Sequence, residues 1–127
     1  MKVVINSSFG GFEISDQLFE KILTRKKIAF VRVEHSLTYI TKNAYYFKEG
    51  HVDDEFYRLS SYDLFKDDRT DADLIAVIEE MGETERKSCS LSIVDIPDDV
   101  KWHIHEYDGK EHVAENHRTW HGKRVNL

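Results

Sequence analysis

The chain has 127 residues and no low-complexity run, which fits a single globular domain over 1–127. Eighteen basic residues against 24 acidic ones give a formal charge of −6, which argues against general nucleic-acid binding, since phosphate recognition needs a basic footprint. The lone cysteine, Cys89, excludes an intramolecular disulfide and a cysteine-based zinc site within one chain.

No signal peptide is visible and no run approaches the ~20 apolar residues of a membrane-spanning helix, so a cytoplasmic location without membrane contact is expected.

In chain order, KVVIN reads as an N-terminal strand, being short, β-branched and apolar. SSFGGF follows as a turn, where Gly10-Gly11 permits positive φ or close backbone approach. A first helix is predicted over about 15–26. Ser15 is its N-cap, Asp16 lies in its first turn, and Ile14 precedes the cap as a staple for Phe19. Leu18, Phe19, Ile22 and Leu23 form its apolar face, and Arg25, Lys26 and Lys27 suit its C-terminal dipole.

The β-branched and aromatic run from Ile28 to Gly50 predicts a long bent strand or a hairpin, broken near Glu34-His35 or Lys42-Asn43. EFYRLSSYDLF reads as a further strand or irregular edge, and KDDRTD as a polar loop.

A second helix is predicted over 71–81, with Thr70 as N-cap and Asp73 completing a capping-box variant. Leu74, Ile75, Ile78 and Met81 are its buried face and Gly82 its stop. ETERK reads as a polar connector. SCSLSIVDI reads as a strand with Cys89, Leu91 and Ile93 on one face, and PDDV as a turn.

YDGK is a strong hairpin signal, because Asp-Gly supplies the two positive-φ positions of a type I′ turn. It fixes a C-terminal β-hairpin over 101–117. Tyr107 pairs with Lys110, Glu106 with Glu111, His105 with His112, Ile104 with Val113, His103 with Ala114 and Trp102 with Glu115. Trp102, Ile104 and Val113 face the core, with Glu106 and Glu111 at the wet end of that face. His103, His105, His112, Tyr107 and Lys110 face outward. The fold class is α+β: a mostly antiparallel sheet with the two helices packed on it.

Several constellations bear on chemistry. His103, His105 and His112 are spaced to ligate Zn, Ni or Cu through imidazole, or to make a pH-responsive surface; solvated polar residues are the plain alternative. SSFGGF between strand and helix offers backbone donors to an anion, with Asn6, Ser7 and Ser8 alongside. It lacks the Gly-Lys-Ser/Thr of a P-loop and the third glycine of a dinucleotide fingerprint. The plain reading is a tight turn with Phe9 and Phe12 filling the core. The acidic groups at 53–55 and 67–68 read as solvated loops. His117, Arg118, Lys123 and Arg124 form a small basic patch, and Trp120 with Arg118 could anchor a partner. Neither a Ser/His/Asp nor a Cys/His arrangement can be assigned, and Cys89 reads as a small hydrophobe.

The segments INSSFGGFEIS, RTDADLIAVIEEMG and IPDDVKWHIHEYDGKEHVAENHRTW resemble a small family of uncharacterised proteins encoded in phage and prophage genomes. The resemblance covers about half of the chain. At the front it rests on Ile5, Asn6, Gly10, Gly11, Phe12 and Ser15, and in the middle on Arg69, Asp71, Leu74, Glu79, Glu80 and Gly82. The last segment, from Pro97 to Trp120, is the most specific. The family pattern has mostly acidic residues at 103 and 105 and often an aromatic at 112, so the three histidines are particular to this chain. The resemblance implies an origin and no reaction.

These readings converge on an accessory protein that acts as a non-enzymatic binding module for a host protein or a small anionic ligand, with interference in host defence as a natural setting. The expected ligand-binding residues are Asn6, Ser8, Gly10, Gly11, His117, Arg118 and Trp120. A cofactor is not called for, although a metal at His103, His105 and His112 is left open. The alternatives are a small hydrolase or transferase using His117 or that histidine group, and a virion or assembly component acting through homo-oligomerisation.

Overall fold

The structure, a computed structural model, describes residues 1–36, 42–117, 120 and 122. The order is β1 (Lys2–Asn6), α1 (Asp16–Arg25), β2 (Phe30–Ser36), β3 (Lys42–Lys48), a 3-10 turn (Glu55–Tyr57), β4 (Arg58–Leu59), α2 (Ser61–Phe65), α3 (Ala72–Glu79), α4 (Glu83–Ser88), β5 (Leu91–Asp95), β6 (Trp102–Tyr107) and β7 (Lys110–Glu115). The class is α+β, and among the described residues all strand pairing is antiparallel. The strands are shared among three small ladders, β1-β5, β2-β3-β4 and β6-β7.

The first helix forms as its sequence dictates. Ser15 is extended and its Oγ accepts from the Leu18 N–H, and Leu18, Phe19, Ile22 and Leu23 are all buried. They meet Val4 of β1, Tyr46 of β3, Phe65 of α2, Leu74, Val77 and Ile78 of α3, and Leu91 of β5 in one core cluster. The Tyr46 ring stands edge-on to Phe19 and Phe30, with centroids 5.3 and 5.7 Å away.

The aromatic run is a hairpin, β2 with β3, and its connection, residues 37–41, lies outside the described residues. The segment 55–65 is not a continuous strand. Asp54 Oδ1 accepts from the Phe56 N–H and Ser60 Oγ from the Asp63 N–H. Such local bonds draw the backbone into short helical turns and leave β4 only two residues long.

The second helix starts on Asp71 rather than Thr70: Asp71 Oδ1 accepts from the N–H groups of both Asp73 and Leu74. Its fully buried face is Leu74, Val77 and Ile78, while Ile75 and Met81 are only partly buried. Gly82 is not a left-handed stop. Its φ is −73° and it caps α4, which replaces the expected polar connector; Glu83 and Glu85 lie in that helix's first turn, where the dipole favours them.

Charge contacts from Arg25 and Lys26 tie the end of α1 to α3; Arg25 meets Asp73 and Glu80 at 3.3 Å each. Lys26 Nζ lies 2.6 Å from Asp71 Oδ2 and 3.0 Å from Asp73 Oδ2. Burial raises the Asp71 carboxyl, but the hydrogen bonds from Lys26, Leu74 and Asp73, with the Lys26 charge, outweigh it. The net value lies below the ordinary 3.8.

The C-terminal hairpin has the expected register at all six pairs, Trp102↔Glu115 through Tyr107↔Lys110. Asp108 and Gly109 adopt φ of 52° and 84°, as a type I′ turn demands.

Candidate functional site

β1 is the strand around which the site is built. Four of its five residues, Val3, Val4, Ile5 and Asn6, are buried, so both faces are covered, and one edge pairs with β5. The polar groups on the other edge must also be satisfied. The Val4 N–H donates to the Arg69 carbonyl at 2.8 Å, and the Asn6 N–H donates to Glu111 Oε1 at 2.7 Å. Thus a carboxylate from β7, not a strand backbone, closes the edge at Asn6.

That carboxylate also receives Arg69 in a two-pronged pair, Nη1 to Oε1 at 2.7 Å and Nη2 to Oε2 at 2.9 Å. Both side chains are almost fully buried, at 7% and 8% exposure. The remaining Arg69 donors reach main-chain oxygens: Nε to the Lys66 carbonyl at 3.0 Å and Nη1 to the Val4 carbonyl at 3.4 Å. The guanidinium lies over the Phe12 ring, 3.7 Å from its centroid. Glu111 is therefore not at a wet end of the hairpin's inner face. It is the centre of a closed ionic joint.

Asn6 completes the joint. It is fully buried, and its Nδ2 donates to the Ser8 carbonyl at 2.8 Å and the Gly109 carbonyl at 2.7 Å. The Gly10 N–H donates to the Asp108 carbonyl at 3.3 Å. A Cβ on Gly109 would fall 2.1 Å from the Gly11 nitrogen, so the two glycine turns touch backbone to backbone.

The expected anion cradle is thus filled by the hairpin's own tip. Both amide donors of Asn6 are engaged within the chain, and the glycines serve close packing. Phe12 packs against the core, but Phe9 does not fill it, being 63% exposed.

The expected ligand residues fall into two groups that the structure keeps apart. Asn6, Ser8, Gly10 and Gly11 gather at the hairpin tip. His117 lies beyond the opposite end of β7, roughly 20 Å along the strand at ~3.3 Å per residue. His117 and Trp120 are exposed there, and Arg118, Lys123 and Arg124 lie outside the described residues.

The histidines also divide. His105 and His112 are cross-strand partners with ring centroids 4.9 Å apart. His103 Nδ1 instead meets Asn116 Oδ1 in a short hydrogen bond. Among the described residues, no three His, Cys, Asp or Glu side chains are grouped to hold a metal ion.

Beside the ionic joint lies a cleft of about 370 Å³ between the hairpin's inner face and the loop before α3. Lys66, Asp67 and Glu106 face it with Trp102 and Ile104, while Arg69 and Glu111 form its wall already bonded to each other. The cleft holds no nucleophile paired with a base. Among the described residues, no helix is long and apolar enough to cross a membrane.

The outer side of the tip is different. Phe9 is 63% and Tyr107 76% exposed, and the Lys110 ammonium sits 5.8 Å from the Phe9 ring centroid. Two aromatic side chains and a lysine therefore stand on the ledge made by the two packed turns.

Arg69 and Glu111 were the residues that sequence reading missed as a pair. A signal existed: register places Glu111 on the hairpin's core-facing side, where a carboxylate requires a cation.

Comparison with protein-family models gives no match, and comparison with curated proteins and with solved structures gives none either.

Proposed function

We propose that this chain is a non-enzymatic binding module, a phage or prophage accessory protein that holds a host protein through the tip of its C-terminal hairpin. The observation that carries the reading is the exposure of Phe9 and Tyr107 on a ledge fixed by the Asn6–Gly109 hydrogen bond and the Gly109–Gly11 contact. Rigid, solvent-facing aromatics lose little entropy on binding and are the usual anchors of an interface. The phage origin rests on the resemblance of INSSFGGFEIS and the IPDDV…HRTW segment.

A protein is favoured over a small anion because the donors expected to hold the anion already serve the joint. Hydrolase and transferase readings gain no support from the cleft, where the buried arginine and glutamate neutralise one another.

The test is affinity capture from host lysate with native protein and with Phe9→Ser/Tyr107→Ser, each checked for the same unfolding midpoint. Enrichment of a host protein by the native chain, lost in the double variant and retained by Trp120→Ala, supports the reading. Equal capture by the native chain and the double variant overturns it.

A further inference from the structure

We infer that His105 and His112 form a two-imidazole chelate for a divalent ion of the Zn²⁺, Ni²⁺ or Cu²⁺ class. The pair stands on the outward face of the hairpin, directly opposed across β6 and β7, and both residues are exposed. The register is held by the positive-φ turn at Asp108-Gly109 and by the Ile104–Val113 pair on the other face. The two rings are thus presented together rather than brought together by the metal.

The ring geometry suits chelation. An imidazole nitrogen about 2.05 Å from an ion puts its ring centroid about 3.2 Å away. A centroid separation of 4.9 Å then corresponds to an angle of about 100° at the ion, between the square and tetrahedral values. The rings are tilted 45° to one another, and because both side chains are exposed each is free to rotate one nitrogen toward a common point.

The face supplies imidazole and no carboxylate: its other residues are His103, Tyr107, Lys110 and Ala114. Borderline ions that favour nitrogen fit it, and Mg²⁺ or Ca²⁺ do not. Lys110 is the neighbouring cation, and its ammonium leans over the Phe9 ring. His103 is held by Asn116 and is not required. The ion keeps open positions for water or for a side chain of a bound protein, so affinity is modest. The site goes beyond the proposed docking role and is read in the isolated chain.

The experiment titrates Zn²⁺ and Ni²⁺ into native protein by calorimetry, with histidine ring signals followed by NMR. One ion should bind per hairpin, shifting the ring signals of His105 and His112 and not that of His51. His105→Ala and His112→Ala should each weaken binding at least ~10-fold, the low end of what losing even a supporting group costs a metal site. His103→Ala should leave it within about twofold, since that ring is no ligand. Unchanged affinity in His105→Ala/His112→Ala, or no saturable binding by the native chain below ~1 mM, overturns the site.

Discussion

Glu111 has three hydrogen-bonding duties at once: two to Arg69 and one to the Asn6 N–H. Removing its charge leaves a buried guanidinium without a counter-ion, which costs more than the pair's net stabilisation. Glu111→Gln should therefore lower the unfolding free energy by about 3 kcal/mol in urea denaturation. Arg69→Met/Glu111→Leu should lose less than the single variant, although it leaves the Asn6 N–H unsatisfied while the glutamine amide oxygen of the single variant can still accept from it.

Gly109 offers a second residue-scale test. At φ +84° and with a Cβ destined for 2.1 Å from the Gly11 nitrogen, alanine must strain the turn and push the two loops apart. Gly109→Ala should cost roughly 2–3 kcal/mol. Gly10, where a Cβ would meet nothing within 4 Å, should cost less on the same substitution, its φ of 112° alone opposing it. Glycine type was legible in the sequence at both places. Which glycine is packed against another chain segment was not, because that depends on a contact about 100 residues apart.

At the scale of elements, legibility followed the locality of the forces. The hairpin register came out of one Asp-Gly dipeptide, since two positive-φ residues leave few alternatives. Helix α1 was readable because its cap and its four buried residues are all set within eleven positions, Ser15 to Arg25. The cap of α3 lies one residue later than the sequence predicts. Thr70 and Asp71 are both competent caps, and Lys26 from the distant end of α1 favours Asp71 by pairing with it.

That choice makes the element sensitive to pH. The folded carboxyl of Asp71 lies below its ordinary value, so its contribution is complete above about pH 4 and is lost as pH falls through the folded value. Asp71→Ala should cost about 1–2 kcal/mol at neutral pH through the lost cap alone. The difference between native and variant unfolding free energies should shrink steadily on acidification below about pH 4. A gap constant down to pH 2 would show that the ion pair contributes nothing.

For the molecule as a whole, the one antiparallel sheet expected from the strand runs is divided, among the described residues, into three small antiparallel ladders. β1 is buried on both faces, but the neighbour on its second edge is supplied by the Arg69 main chain and the Glu111 side chain. Strand propensity carries no information about such an edge. The candidate site was legible in its residue types and misassigned in its role. Asn6, Gly10 and Gly11 do gather, but around Gly109 rather than around a ligand. Their consequence for function is indirect: they set the hairpin tip, with Phe9 and Tyr107, in a fixed position facing solvent.

The most direct test of that arrangement is the unfolding free energy of Asn6→Ala. If Asn6 is the pin of the joint, alanine removes two buried hydrogen bonds and leaves the Ser8 and Gly109 carbonyls unpaired, and stability should fall by roughly 2–3 kcal/mol. If Asn6 were instead held ready for a ligand, its loss would leave stability within about 0.5 kcal/mol of native, and that result would contradict the account.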